Sequence, residues 1–520
     1  MAGMNRKAWI VAGAAAAALG AGWAAVGATS HHHAMGAEPV AHERYVSFKS
    51  VHRHRAWLKP SVDLSDRFPT PGDQEWQSSC VAWATGYAAR SFLGAEQAGR
   101  APEARTDLVS PAYIFYRVRE RKDICVGTGS NVAAALELLA SEGSVSLAEM
   151  PYGTMTCKTA PTETQIASAA HWRIGGWRAI QRETPGDWRT PIVLDDVKAQ
   201  LQEGLPVIFT MTAPQSFEDW KGGGVYSTDE SKGGMHAMTL VGYDEQKQAF
   251  RLINSWGKYW GDGGYAWLSY ATFARLVQEA YVMEPPAAPT TAPVAPPLST
   301  DEQLSKVAGE LQCGRVSVRK SEAGREMVGF TGMKDGYDEA RTTALAADPS
   351  LKWNVAFHPW PQCEAELTLE RPLADGATRM TIRTADGGAL TGDPVSMKAD
   401  DLFSVEVATT PQRPYVHVVY LQADGSAVEL YRGTPMASAD GTLKVNLGAA
   451  GKRENRFQVA PPYGDEILIA VASDAPLFGD ELSGHHTERQ FLTMLRTSLA
   501  QAAREGRPVS AAVQRVRTAG

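Results

Sequence analysis

The stretch Asp73-Gln74-Glu75-Trp76-Gln77-Ser78-Ser79-Cys80 sets a glutamine six positions ahead of a cysteine, and that cysteine opens an apolar, helix-like run. Val81, Ala84, Tyr87 and Ala88 fall on one stripe of the predicted helix. A thiolate at a helix N-terminus is stabilised by the positive end of the helix dipole. A nearby side-chain amide completes an oxyanion hole with the cysteine's own backbone N–H. This is what an acyl-transfer site needs. The matching base is sought downstream, in Gly234-Met235-His236-Ala237 and Asn254-Ser255-Trp256-Gly257. Residues 235–243 and 249–255 read as two alternating strands around a polar turn at 244–248. With the turn centred on Glu245, His236 stands opposite Asn254 on one face, with Cβ atoms about 4.5–5.5 Å apart. A one-residue bulge would break that pairing. At this reach the Asn254 amide oxygen accepts from one imidazole nitrogen while the other faces the thiol.

Taken together, these residues resemble the papain-like cysteine peptidases, in their bacterial branch. The resemblance spans about Lys59 to Met283 and includes more than the catalytic residues. Ser61-Val62-Asp63-Leu64-Ser65 is similar to the start of the mature domain, Ser110-Pro111 to the Leu-Ser-Pro region, and Asn254 to Gly264 to the Asn-Ser-Trp-Gly signature. The resemblance implies an α+β fold of two lobes, one helical and one of antiparallel strands, with the substrate cleft between them. It makes Cys80 the nucleophile, His236 the base, Asn254 the residue that steadies the imidazole, and Gln74 the oxyanion donor. Trp256 reads equally as core packing or as the shield of the His–Asn hydrogen bond. The run Cys125 to Ser130 resembles the glycine-rich strand that pairs with an extended peptide, so Gly127 or Gly129 lines the acyl side of the cleft; an ordinary turn glycine is the competing reading. No metal and no cofactor is implied. The chain departs from the family pattern at Glu75, usually glycine, at Trp76, usually a structural cysteine, at Val81, usually tryptophan, and at Met235, often aspartate. None of these changes removes a catalytic atom, and the Glu75-Trp76 pair bears on cleft width and substrate preference.

The chain has five cysteines. With Cys80 set aside, Cys125 and Cys157 remain in the peptidase-like segment and Cys313 and Cys363 beyond it, which is economically solved by one disulfide per region and one free thiol. That suits an oxidising compartment. No CxxC pair or tight His/Cys cluster favours a structural metal instead. At the N-terminus, Arg6 and Lys7 precede an alanine-rich apolar run ending in Val26-Gly27-Ala28, a site for signal peptidase. The expectation is therefore a secreted or periplasmic protein with a signal peptide over 1–28. An uncleaved anchor is the alternative. A short N-terminal segment covers 29–58; His31 to His33 read as an exposed linker, and any cover over the cleft is expected from about His42 to Trp57.

At 520 residues the chain exceeds one core. The peptidase-like domain covers 59–283 and a proline-rich linker 284–299, separating it from independently folded units: a small accessory module at 300–395 and a β-rich, sandwich-like domain at 396–520. Thr487 is expected to cap a closing helix whose stripe Phe491, Leu492, Leu495 and Leu499 docks on the sheet, ending at Gly506. This C-terminal part resembles accessory domains appended to bacterial serine/threonine kinases and other signalling or envelope proteins, which implies binding of a protein partner, a cell-envelope component or a substrate; a purely stabilising appendage is the competing reading. Net charge is −7 with no basic stripe, so nucleic acid is not an expected partner. Three functions follow: an exported cysteine endopeptidase acting on polypeptides, a transpeptidase or amidase on the same fold, or a catalytically silent binding scaffold.

Overall fold

The computed structural model describes residues 33–520 except 53, 55–57, 103, 154–156, 287–297, 323, 333, 335, 449–455, 480–481 and 483–485. The expected signal peptide, His31, His32 and most of the proline-rich linker lie outside the described residues.

Residues 80–98 form one continuous helix whose middle, Trp83–Arg90, is wound with wider π-type turns. It ends at Gly99, which takes the left-handed conformation (φ 66°) that glycine adopts without penalty. The single apolar stripe expected here is replaced by burial on every side: all residues from 77 to 93 are buried. The helix is the shared wall of two lobes. One side packs against the helices Pro111–Val118 and Val132–Ser141, capped by the side chains of Ser110 and Asn131. The other side meets the strand Gly234–Asp244, with the Thr239 hydroxyl donating to the Ala84 carbonyl at 3.0 Å.

That strand lies inside an eight-stranded sheet. Its path runs Gly176–Ala179, Val277–Glu284, Val207–Ala213, Gly234–Asp244, Ala249–Ile253, Tyr265–Ser269 and Val225–Tyr226, with Ser61–Asp63 added beside Gly234–Asp244. The direct opposition of His236 and Asn254 expected from the sequence is corrected by the register. Pairing runs Asp244↔Ala249, Tyr243↔Phe250 and Gly242↔Arg251, then shifts to Leu240↔Leu252 and Thr239↔Ile253. The turn is centred later than Glu245 because the Asp244 carboxylate accepts from the Gln246 and Lys247 amides at 2.7 and 3.1 Å. Turn position and bulge together move the pairing by two residues. Since side chains alternate with period two, His236 and Asn254 still share a face.

Cys125 bonds to Cys157 and Cys313 to Cys363, leaving Cys80 free. Beyond the linker, Gly314–Ser321, Gly324–Thr331 and Lys352–Phe357 form a three-stranded sheet with the helices Thr300–Glu310 and Tyr337–Ala347. A five-stranded and a six-stranded sheet follow. Val416, Val418, Leu468 and Ala470 turn one face of the six-stranded sheet toward Val405 and Val407 of its partner. Val419, Leu421, Ile467 and Ile469 turn the other face toward Phe491, Leu492 and Leu495 of the helix Glu488–Arg504. Thr487 and Gln490 close a reciprocal capping box at that helix's start. The sheets also recruit Arg379–Thr384 and Val395–Lys398, so strands begin well before residue 396, and Val395–Lys398 runs parallel to Val509–Ala519.

The units expected to stand apart on the linker are in contact. Arg489 and Arg496 of the closing helix reach Asp195 at 3.4 and 3.2 Å, and both also engage Glu364. Burial pushes the Asp195 carboxyl up, but Arg496, Lys198 and Arg489 outweigh it and hold it well below the usual carboxylate range.

Candidate active site

Cys80 sits at the first turn of its helix and is fully buried. The backbone N–H groups of Ala237, Gly36, Val81 and Cys80 itself lie close enough to its sulfur to favour the thiolate. Ala237 follows His236 on the facing strand, so the Cys80 thiol and the His236 imidazole stand on opposite walls of one cleft. The His236 Nε2 is 2.8 Å from Asn254 Oδ1, the contact expected of an orienting amide. Asn254 Oδ1 also accepts from the Ser255 amide at 2.8 Å, which fixes the carboxamide's orientation. The indole of Trp256 stacks on His236 with ring centroids 4.4 Å apart, and the side chain is only 2% exposed. Its two readings therefore coincide: the ring is core and also covers the His236–Asn254 pair.

Gln74 is fully buried beside Cys80. The Ser255 hydroxyl donates to Gln74 Oε1 at 2.6 Å and so aims Nε2 into the cleft. The sequence shows Ser255 only as a member of a signature; its position 181 residues from Gln74 gives no local signal. The two glycines separate. Gly129 N–H donates to the Glu38 carboxylate at 3.0 Å, and a Cβ there would lie 2.2 Å from that oxygen, so it packs directly against residue 38. Gly127 does not: with φ 69° and its N–H on the Ser78 hydroxyl, it is a turn glycine.

The cleft is filled by the chain itself. Residues 33–40 run through it as an extended strap, whereas the cover was expected from 42–57. Gln74 Nε2 donates to the Ala34 carbonyl at 2.7 Å, so that carbonyl sits where an oxyanion donor points. Ala37 N–H donates to the Met235 carbonyl at 3.2 Å, Ser130 N–H to Gly36 at 2.9 Å and Glu38 N–H to Ser130 at 3.0 Å. His33 stacks on Trp256 at 5.2 Å, and Val40 N–H donates to the Glu279 carboxylate at 2.7 Å. Gly36 is required for this approach, because a Cβ would lie 2.1 Å from the Ser78 carbonyl oxygen. The segment expected to cover the cleft lies elsewhere: the Tyr45 hydroxyl donates to the carbonyls of Ile180 and Ala280, and Val51 pairs with Ala179 at the sheet edge.

Under this strap the thiolate expected at Cys80 is not the resting form. Burial pushes the Cys80 thiol up, against the pull of its backbone donors. Burial lowers the His236 imidazole to about 4, against the Asn254 hydrogen bond that raises it, and His33 adds to the depression. His236 Nδ1 makes no hydrogen bond among the described residues. The pair is thus a neutral thiol and a neutral imidazole, each stripped of solvent.

Residues 74–283 match the sequence profile of the papain family cysteine proteases. This segment is a papain-family cysteine protease domain. It is 37% identical over 67 residues to gamete and mating-type specific protein A of Dictyostelium discoideum, covering 13% of this chain and 15% of that protein. It is 26% identical over 210 residues to an uncharacterized peptidase C1-like protein of Acanthamoeba polyphaga mimivirus, covering 38% of this chain and 63% of that one. The chain therefore spans less than two thirds of either relative. Among solved structures, xylellain, a cysteine protease from Xylella fastidiosa, aligns at 24% identity and TM-score 0.41 over 49% of this chain and 97% of its own. The bromelain protease from Ananas comosus aligns at 20% identity and TM-score 0.34 over 44% and 100%. Every candidate residue of the papain-family domain except Gly127 lies in or against one cleft.

Proposed function

We propose that the chain is an exported cysteine endopeptidase, kept latent by residues 33–40, with C-terminal units that bind a protein or cell-envelope partner. The single observation carrying this reading is that the Ser255-aimed amide of Gln74 donates to the Ala34 carbonyl, in a cleft with Cys80 on one wall and the hydrogen-bonded His236–Asn254 pair on the other. A substrate carbonyl placed where that carbonyl lies meets the Cys80 sulfur. His236 takes the thiol proton at Nδ1 while Asn254 holds Nε2. The sulfur bonds to the carbonyl carbon, and the electron pair moved onto oxygen is received by Gln74 Nε2, a donor role worth about 3–4 kcal/mol of barrier. The pair then returns, the C–N bond breaks, and the imidazolium proton passes to the departing amine. Water, deprotonated by His236, next displaces the thiolate from the thioester.

The strap presents its Ala34 carbonyl with the residue before it, His33, on Trp256 and the residues after it, 36–38, along Ser130. The family resemblance assigns the acyl half of a substrate to the Gly129–Ser130 side, so the strap runs the other way and escapes cleavage. A silent scaffold would also fill its cleft. The two are separated by an epoxide thiol probe and a protein substrate offered to the full chain and to Cys80→Ala. Stoichiometric labelling and cleavage that both vanish in Cys80→Ala support the peptidase; labelling that survives the substitution refutes it.

A further inference from the structure

Resting on the peptidase reading, we propose that the groove on the Trp256 side of the cleft selects polypeptides that carry lysine or arginine immediately after the scissile bond. The groove holds about 580 Å³ and receives the half of the substrate that leaves, since the imidazole that protonates the departing amine stacks on its wall, Trp256. Four carboxylates line it, Asp73, Glu75, Glu218 and Asp219, against one ammonium, Lys221. The remaining wall is aromatic. Trp76 is 46% exposed, and Tyr259 is 87% exposed with the Lys258 ammonium 5.3 Å from its ring centroid. Carboxylates set among aromatic faces recognise a cationic side chain through ion pairing and cation–π attraction, and its alkyl stem through apolar contact.

Two further observations point to a ligand in this groove. The chain fills it with a side chain that is itself cationic when protonated: His33 lies parallel to Trp256, 11° from coplanar. The Trp256 indole N–H, buried in the groove wall, has no acceptor among the described residues, which leaves a donor for a peptide carbonyl. Glu75 adds a backbone argument. It occupies the position where the family carries glycine, at φ 54°, a left-handed conformation that is unfavourable for a non-glycine residue. Holding glutamate at that cost brings its carboxylate beside Asp73, whose own carboxylate accepts from the Glu75 amide at 2.7 Å.

The bond broken joins the acyl carbon to the main-chain nitrogen of the residue bearing the cation, so the new amino terminus departs with a lysine or arginine. The test uses the full chain carrying Gly36→Leu, chosen to expel the strap and verified to do so by Cys80 alkylation, and fluorogenic peptides differing only in the residue after the scissile bond. Lysine and arginine are expected to exceed glutamate in kcat/KM by about tenfold or more at low salt, with alanine between. Glu75→Gln combined with Asp219→Asn should shrink that ratio at least threefold. Protection of Cys80 from iodoacetamide by lysine-headed and glutamate-headed peptide amides gives the same ranking without turnover. Equal rates and equal protection across the series, in a variant whose Cys80 still cleaves and labels, overturn the groove's selectivity while the peptidase stands. A preference that survives both neutralisations also overturns it.

Discussion

Gly36 is where the strap is most exposed to a single substitution. A Cβ built there lies 2.1 Å from the Ser78 carbonyl oxygen and 2.6 Å from its carbon, both backbone atoms that cannot swing away. These distances are far inside the roughly 3.5 Å at which non-bonded carbon contacts become favourable. Overpacking of this kind costs about 1–3 kcal/mol. If the strap lifts instead of the loop at Ser78 deforming, that cost transfers to the docked state, and the fraction of open cleft rises about 5- to 150-fold. Because the clash belongs to Cβ itself, Gly36→Ala should give most of the gain and Gly36→Leu the rest. The assay is the second-order rate of Cys80 alkylation in the full chain, read by mass spectrometry, with turnover of a fluorogenic peptide measured in parallel. Unchanged alkylation in both variants, with a native circular dichroism spectrum, would refute the claim that residues 33–40 close the cleft.

Three other outcomes follow from the same geometry. The closed cleft holds His236 near 4, while an uncovered imidazole titrates near 6.5; neutral His236 favours the docked strap, and that support is full above about 6.5 and lost as pH falls toward 4. At pH 5 the linkage is about 2 kcal/mol, or about 30-fold in open fraction, so protection of the Ala37 amide against hydrogen exchange, corrected for the intrinsic rate, should fall from pH 7 to 5, and protection that stays constant or rises would contradict it. Ser255→Ala removes the hydroxyl that aims Gln74, and losing a hydrogen bond of about 1 kcal/mol should lower kcat about fivefold with KM nearly constant in a strap-released variant. Asp195→Ala leaves Arg489 and Arg496 with Glu364 alone of the two carboxylates they share, at about 1.5–3 kcal/mol; calorimetry should show a lowered melting midpoint that Arg496→Met in the same chain partly restores.

The protease domain was legible because its chemistry is written in short motifs whose side chains have few other uses at that spacing. Gln74, Cys80, His236 and Asn254 each announce a role, and strand parity alone puts the last two on one face. What the hairpin pattern did not carry was its register, since the Asp244 side chain moves the turn and a bulge follows; both are local energetic choices invisible to alternation. The stripe expected on the Cys80 helix failed because a helix shared between two lobes has no solvent face. The strap was missed for a different reason: Ala34-Met35-Gly36-Ala37 pairs through its backbone, and backbone hydrogen bonds leave little trace in residue type. Gly36 was its one sequence mark. The docking of the C-terminal helix on Asp195 was hidden by a linker composition that suggested separation, although charge complementarity between distant segments is set by tertiary structure alone.

The account stands or falls on whether His236 activates Cys80 once the cleft is open. In full-length Gly36→Leu, the rate of Cys80 alkylation at pH 6 should drop by about a hundredfold when His236→Ala is added, because the thiol then loses the base that holds it as thiolate at that pH. Equal alkylation with and without the imidazole would contradict it.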